Sequence, residues 1–171
     1  MKKIDAHAHL CHNAKGIDAI VESGVFEQIW LMDLSGIGRL GDIELATQQE
    51  ILETVKRYQG FFLAFGFIDL DHAVPDDISR LRDLGFYGLK PYKQLKPYSH
   101  PDYLPLYERA QELNMPILFH TGLIAQGTPY TGAYTHAFGP ENMRPIHLSA
   151  IAEAFPELMI IGGHQGWPYM E

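Results

Sequence analysis

Ile4-Asp5-Ala6-His7-Ala8-His9-Leu10 is the stretch of sequence from which the rest of the chain is best interpreted. Side chains of a β-strand point alternately to the two faces of a sheet. A strand here places Asp5, His7 and His9 on one face and only small or apolar side chains on the other. Imidazole is among the commonest metal ligands in proteins, and a nearby carboxylate can orient it. The pattern predicts either a metal site on one face or a half-exposed strand with its histidines in solvent.

The size and composition of the chain indicate one globular domain. It has 171 residues, of which 46% are hydrophobic and 20% charged, and this is typical of a folded domain with a sizeable core. The formal net charge is −8 without a cluster of Lys and Arg, so neither nucleic acid nor a membrane is expected as a partner. The single cysteine, Cys11, excludes an internal disulfide, and no apolar leader follows the N-terminal Met-Lys-Lys. We therefore expect a cytoplasmic protein.

Apolar runs of strand length alternate with helical segments along the whole chain. The predicted strands lie at 4–10, 25–32, 61–68, 86–90, 116–120 and 158–164. The predicted helices lie at 18–23, 43–58, 75–84, 102–114 and 144–155, and a long loop occupies 122–139. Nearly continuous apolar strands that are separated by helices are typical of a parallel sheet covered on both faces. The sequence therefore predicts an α/β fold with six parallel strands in sequential order.

Four of the nine histidines fall at the carboxyl ends of predicted strands. His7 and His9 lie near the end of the first strand, while His120 and His164 end the fifth and sixth. In a parallel barrel these strand ends form one rim, where such folds build their sites. Four imidazoles there could bind a divalent metal, with zinc the expected ion, and leave one position for a water acidified to a pKa of about 7. The alternative is that four unrelated histidines happen to end strands.

Four motifs, in order along the chain, carry a resemblance to a known family. They are Ile-Asp-Ala-His-Ala-His-Leu at 4–10, Gly-Leu-Lys-Pro-Tyr at 88–92, Met-Pro-Ile-Leu-Phe-His-Thr-Gly at 115–122 and Phe-Pro-Glu-Leu-Met-Ile-Ile-Gly-Gly-His-Gln-Gly at 155–166. The chain resembles the amidohydrolase superfamily, and most closely its amidohydrolase-related branch, which includes hydrolases, lactonases, hydratases and non-oxidative decarboxylases. The resemblance implies a TIM-barrel-like (β/α) fold.

The same resemblance implies roles for the strand-end histidines. His7, His9 and His120 correspond to metal ligands of the family. His164 corresponds to a histidine that binds a second metal or acts on the substrate as an acid or base. We therefore predict His7, His9, His120 and His164 as metal ligands and His164 also as a catalytic residue.

The chain departs from the family at its C-terminal end. The family barrel has eight strands, and an aspartate of the last strand binds the metal and activates the water. Only six strands are predicted here, without a counterpart of that aspartate. We therefore expect one (β/α) barrel domain over residues 1–171 that is C-terminally incomplete, either because it is a fragment or because partner chains close it. A homo-oligomer that covers the open sheet edges is one such arrangement.

Lys90 ends the fourth predicted strand and is the second catalytic candidate. Some members of the family carry a carboxylated lysine on this strand, where it bridges two metals. The expected interpretation is an unmodified lysine that pairs with an anionic substrate or with a neighbouring acid.

The two other observations concern side chains near the rim. His136 lies in the long loop after the fifth strand, with Tyr130, Tyr134 and Arg144 nearby in sequence. These four could contact a substrate, or the loop could simply be solvated. Cys11 could be a soft metal ligand, although a buried and inert cysteine is expected.

Together these features predict a metal-dependent hydrolase that attacks a C–N or C–O bond of a small polar substrate with a metal-activated water. A non-oxidative decarboxylase or hydratase on the same metal site is the first alternative. A metal-binding or assembly protein without catalytic activity is the second, because the last-strand aspartate of the family is absent.

Overall fold

The structure is a computed structural model that describes residues 3–92, 94–122 and 140–167. Its strands are β1 (Lys3–Ala8), β2 (Phe26–Met32), β3 (Arg39–Leu40), β4 (Ile43–Glu44), β5 (Phe62–Ile68), β6 (Gly88–Pro91), β7 (Ile117–His120) and β8 (Ile160–Gly163). Its helices are α1 (Ile17–Glu22), α2 (Gln48–Arg57), α3 (Pro75–Leu84), α4 (Leu104–Glu112) and α5 (Ile146–Ala154). Within these ranges, no helix has both the length and the apolar character needed to span a membrane.

Six strands form one parallel sheet in the order β1-β2-β5-β6-β7-β8. This is the sequential order predicted from the alternation of apolar runs and helices. The prediction of an α/β fold with six parallel strands, as part of a TIM-barrel-like architecture, is confirmed. Strands β3 and β4 form a separate antiparallel pair between β2 and α2 in the chain.

The parallel sheet curls so far that its first and last strands approach each other. The imidazole rings of His7 in β1 and His164 directly after β8 are 4.5 Å apart, although four strands lie between β1 and β8 in the sheet. Inside the curl, Met32, Phe65 and Leu118 form one apolar cluster, even though β6 lies between β5 and β7. The six strands therefore form a nearly closed, barrel-like sheet.

The larger apolar core lies between the outside of this sheet and the helices. Ile29 and Leu31 of β2 belong to this outer core, whereas Trp30 and Met32 belong to the cluster inside the curl. This alternation is the period of two that a strand imposes. The same alternation holds in β1, where Ala8 packs against the outer core. His7 and His9, on either side of Ala8, therefore point to the inside of the curled sheet.

The predicted helix at 43–58 is wrong at its N-terminal end. Ile43–Glu44 is strand β4, and α2 begins only at Gln48. The Thr47 hydroxyl accepts a hydrogen bond from the Glu50 amide, and the Glu50 carboxylate accepts one from the Thr47 amide. This reciprocal capping box is a strong signal for the start of a helix. The other predicted elements are observed with small shifts at their ends.

Candidate active site

The four histidines predicted at strand ends lie together on one rim of the sheet. The His7 ring lies 5.1 Å from the His9 ring and 4.5 Å from the His164 ring, measured between centroids. The His120 ring lies 4.3 Å from that of His164. The rings therefore form one continuous cluster, as the strand-end pattern predicts. His120 is buried, His7 and His9 are half-buried, and His164 is exposed.

A cavity of about 410 Å³ adjoins this cluster. It is lined by His7, His9 and His164, together with Ala6, Leu118, Ile161 and Gly162–Gly163. The volume is in the range of small-molecule binding sites. Because the lining combines imidazoles with apolar side chains, the cavity suits a small ligand that has one polar end.

The His9 ring has a defined tautomer. Its Nδ1 lies 3.1 Å from the carbonyl oxygen of Met32. A carbonyl oxygen can only accept a hydrogen bond, so Nδ1 carries the proton and Nε2 keeps a free lone pair. Backbone contacts of this kind orient histidines that ligate metals.

Asp5 supports the cluster through the main chain. Its carboxylate accepts a hydrogen bond from the amide of His7 at 3.1 Å. The contact fixes the backbone of β1 beside His7, at a point where the pairing of β1 with β2 is irregular. The alternation in the sequence places Asp5 on the correct face, but the sequence does not indicate that it contacts the backbone.

Burial and the charge of Lys90 lower the pKa values of His7, His9 and His164. Burial lowers the pKa of His7 to about 2, and the positive charge of Lys90 acts in the same direction. Burial also lowers the pKa values of His9 and His164, and Lys90 lowers both further. At neutral pH the three rings are therefore unprotonated, which is the state that binds metals.

Lys90 faces the histidine cluster from β6. The side chain is 1% exposed, and its Nζ is buried without a hydrogen-bond partner in the described part of the chain. Burial lowers its pKa to about 7. Buried polar groups are nearly always hydrogen-bonded, because an unpaired one is costly. Of the two partners expected for an unmodified Lys90, the neighbouring acid is not found among these residues.

The donor set suits a divalent metal in its chemistry, since neutral imidazoles bind zinc and other transition metals. The orientation of the rings, however, does not match a metal site. Over residues 3–92, 94–122 and 140–167, no group of three or more His, Cys, Asp or Glu side chains is placed to hold a metal ion. The rings instead contact one another at interplanar angles between 49° and 66°. The cluster thus combines side chains of a type that binds divalent metals, but their nitrogens do not form a coordination shell.

Two tyrosines that support His120 were not predicted from the sequence. The Tyr92 ring lies 5.2 Å from the His120 ring, and burial raises the pKa of its hydroxyl to about 12. Tyr98 is fully buried, and its hydroxyl donates to the carbonyl oxygen of His120 at 2.9 Å. Tyr92 could have been found from its position two residues after Lys90, on the same face. No local signal identifies Tyr98.

Asp33 lies at the end of β2 but is not available to a ligand. Its carboxylate is 0% exposed and accepts hydrogen bonds from the amides of Ser35 and Phe67 and from the side chain of Gln48. These bonds connect the loop after β2 to β5 and α2. Asp33 therefore shapes the rim and does not act on a substrate.

The prediction that Cys11 is buried is wrong, because the side chain is exposed. Cys11 forms an isolated antiparallel bridge with Leu45, which lies just after β4. Cys11 therefore lies beside the end of β4, the strand that was mistaken for the start of a helix.

The loop residues predicted near the rim are only partly described. His136, Tyr130 and Tyr134 lie outside the described residues. Arg144 lies just before α5, and its guanidinium approaches the Glu141 carboxylate at 3.5 Å. Contact of this loop with a substrate stays a prediction.

Comparisons with known proteins agree with the motifs. A family model described as amidohydrolase matches residues 4–171. A comparison with curated proteins finds no match.

Three solved structures illustrate the similarity of the fold. A 2,6-dihydroxybenzoate decarboxylase from Rhizobium is 19% identical with a TM-score of 0.63, and the match covers 97% of this chain and 67% of that one. A 5-carboxyvanillate decarboxylase from Novosphingobium aromaticivorans, complexed with manganese and 4-hydroxy-3-methoxy-5-nitrobenzoic acid, is 17% identical with a TM-score of 0.58, covering 88% of this chain and 49% of that one. A protein described as a probable 2-pyrone-4,6-dicarboxylic acid hydrolase from Acinetobacter baumannii, with citric acid bound, is 14% identical with a TM-score of 0.51, covering 100% and 86%.

The chain thus spans about half to two thirds of the length of the two decarboxylases. At these identities the likeness concerns the fold alone.

Proposed function

The chain belongs to the amidohydrolase family, and on this premise we propose that it is a metal-dependent hydrolase acting on a C–N or C–O bond of a small polar substrate. One observation carries the proposal: four imidazoles and a buried lysine, which has no hydrogen-bond partner among the described residues, meet at the carboxyl ends of parallel strands, beside a cavity of about 410 Å³. Imidazoles and a desolvated amine are expensive to bury for stability alone.

The histidines divide between holding a metal and acting on the substrate. His7, His9 and His120 would hold a divalent metal, with His164 as a further ligand where a second ion binds. When bound, such an ion polarises a carbonyl group and acidifies a water molecule. The Met32 carbonyl oxygen fixes the His9 ring for this purpose. A neutral His164 can accept a proton from, or return one to, a substrate in the cavity.

Lys90 would bind an anionic group of the substrate. Its Nζ faces the imidazoles and makes no hydrogen bond to any residue that the structure describes, so a carboxylate entering the cluster would satisfy its donors. A carboxylated Lys90 is the other interpretation. Carbon-13 NMR of protein exchanged with labelled bicarbonate distinguishes the two, because a carbamate gives a carbonyl signal that is absent from K90M.

Decarboxylation of an aromatic acid is the second candidate. The observation in its favour is that two of the structures with a similar fold are decarboxylases of hydroxylated aromatic acids. The same residues could serve either reaction. A lysine that binds the carboxylate of a substrate also suits a substrate whose carboxylate is released as CO₂. The similar structure that is described as a probable hydrolase favours the first candidate.

A product analysis tests the proposal. Purified protein is stripped with a chelator, reloaded with zinc or manganese, and incubated with lactones, amides and hydroxylated aromatic acids. Release of acid without CO₂ supports hydrolysis, and release of CO₂ supports the second candidate. H120N should reduce turnover at least ~100-fold, whereas H72N, which changes an exposed loop histidine, should not.

The proposal is contradicted if the folded, metal-loaded protein turns over none of these substrates. That result would favour a metal-binding or assembly protein. An H120N variant as active as the wild type would also contradict it, because activity would then not depend on the cluster.

A further inference from the structure

The residue after His120 holds the strand end that carries His164. Thr121 is 2% exposed. Its amide donates to the carbonyl oxygen of Gly163 at 3.2 Å, and its hydroxyl donates to the same oxygen. Any residue other than proline could supply the amide bond, which continues the ladder between β7 and β8. The second bond requires a hydroxyl at this position.

The turn that begins at His164 has an uncommon backbone. His164 and Gln165 have φ angles of 64° and 54°, and Gly166 follows with 71°. Residues other than glycine seldom adopt this left-handed region, and they remain in it only where surrounding contacts hold them. The Gly163 carbonyl lies in the same peptide plane as the His164 amide. Fixing that oxygen therefore fixes the plane from which the His164 side chain departs.

Close packing holds the same turn from two sides. A Cβ on Gly122 would overlap the backbone of Gly166 and Trp167, and a Cβ on Gly166 would overlap the ring of Pro145. The Gly122 amide also donates to the carbonyl oxygen of Met143 at 3.0 Å. The turn thus lies between the end of β7 and the segment that leads into α5, and the Thr121 hydroxyl is a side-chain donor at this junction.

We propose that Thr121 is a positioning residue for His164. Its hydroxyl holds the Gly163 carbonyl and thereby the His164 ring, which lies 4.3 Å from the His120 ring. Thr121 acts through the backbone and does not contact the substrate. The inference rests on the proposed function for the role of His164, whereas the placement of the ring can be measured without any reaction.

Three variants separate the effect of the Thr121 hydroxyl group from the effect of the shape of its side chain. T121V removes the donor and keeps the branched side chain, and T121S keeps the donor and removes a methyl group. T54V is the matched control, because Thr54 is also buried and its hydroxyl donates to the Glu50 carbonyl oxygen at 2.8 Å within α2. Thermal unfolding and circular dichroism establish that each variant is folded.

The first readout is the imidazole proton–nitrogen NMR spectrum of the metal-free protein, with His164 signals assigned from H164N. In T121V the His164 signals should shift or broaden, while the His9 signals stay in place. T121S and T54V should match the wild type. The proposal is overturned if T121V leaves the His164 signals unchanged, or if T121S disturbs them as much as T121V does. If T121V does not fold, T121A is compared with T121S in the same way.

The second readout is turnover by the metal-loaded protein. T121V should lower kcat about tenfold or more with little change in KM, which is typical of residues that orient the groups contacting a ligand without contacting it themselves. The kcat of T121S should stay within about twofold of the wild-type value. Equal kcat values for T121V and the wild type overturn the proposal. If the wild type turns over no substrate, the proposed function fails, and the NMR spectra still decide the role of Thr121.

Discussion

At the scale of single residues, Lys90 is a side chain whose burial opposes folding. Its pKa is about 7 in the folded protein against an ordinary value of 10.5. Between these two values the unfolded chain binds more protons than the folded one, so stability rises with pH across this window. Below about pH 7 the full cost of burying the charge remains, on the order of a few kcal/mol. A group this costly is typical of a functional site.

We expect K90M to be more stable than the wild type at pH 6, by about 1–4 kcal/mol, because methionine fills the space without a charge. The gain should shrink as the pH rises towards 10, and activity should be lost. Urea unfolding at several pH values measures this effect, with K56M, which changes an exposed lysine of α2, as the control. A K90M variant that is less stable at pH 6 would mean that Lys90 has a stabilising partner.

Acid should destabilise the fold through the histidine cluster. Folding lowers the pKa of His7 from 6.5 to about 2, and those of His9 and His164 are also lowered. Between about pH 6.5 and 2 the unfolded chain therefore binds more protons, and stability falls as the pH falls through this window. H7N should reduce this pH dependence in urea unfolding between pH 7.5 and 4.5. An unchanged slope in H7N would contradict the burial of the ring.

The histidine cluster could be predicted from the sequence, while its supporting contacts could not. A period of two and the position of each histidine at a strand end are local features, and they place His7, His9, His120 and His164 correctly. The contacts of Tyr98 with His120 and of Thr121 with Gly163 depend on which backbones lie side by side. That information becomes available only once the register of β7 and β8 and the packing of the segment between β6 and α4 are known.

At the scale of elements, the ends of β7 and β8 fit together through their glycines. A Cβ on Gly122 would overlap the backbone of Trp167, and Gly122 also has a φ of 85°. A Cβ on Gly162 would meet only the side chains of Leu148 at 3.5 Å and Thr121 at 3.7 Å, which are ordinary contacts. Two glycines close to the same site therefore differ in how far they tolerate a side chain.

We expect G122A to lower the free energy of unfolding by about 1–3 kcal/mol and to reduce activity, because the turn at His164 must move. G162A should stay within about 0.5 kcal/mol of the wild type. Chemical denaturation compares the two. Equal free energies of unfolding for G122A and G162A would show that the end of β7 can accommodate a side chain without loss of stability.

The elements themselves were largely predictable, and the exception has a physical reason. The strands and most helices follow from apolar runs and from Gly and Pro at their ends. Ile43 and Leu45 have spacings that a helix continuing to Tyr58 also produces, so β4 was mistaken for the first turn of α2. The Thr47–Glu50 capping box marks the true start, and it takes precedence over apolar periodicity because it satisfies the first amides of the helix.

At the scale of the whole molecule, the two outer strands of the described sheet each have one neighbour. Apolar side chains near them are exposed: Ile4 is 55% exposed, Met159 58% and Trp167 60%. Helix α5 is rich in apolar residues, yet Ile151 is its only buried residue. Unpaired strand edges beside exposed apolar side chains favour association.

We therefore propose that this chain forms homo-oligomers through the β1 and β8 edges. Sedimentation velocity over a range of concentrations should show association, and I4K and W167E should weaken it, because a charge at either edge opposes burial there. K56E, a charge change at an exposed residue of α2, is the control. A wild-type chain that stays monomeric at high concentration would contradict the proposal.

The alternation of strands and helices predicts the fold class, whereas the closeness of β1 and β8 is a property of the curled sheet as a whole. The contact between His7 and His164 is the clearest consequence, because these residues are far apart in sequence and in strand order. The sequence predicts that both lie on one rim. Their distance depends on the curvature that the packing of the core produces.

Metal binding by the histidine cluster is the central claim, and isothermal titration calorimetry of chelator-treated, folded protein with zinc or manganese tests it most directly. We predict saturable binding of one or two ions per chain that H9N and H120N each weaken at least ~10-fold and that H72N leaves unchanged. Absence of binding by the folded wild type, or equal affinity in H120N and the wild type, would contradict the claim.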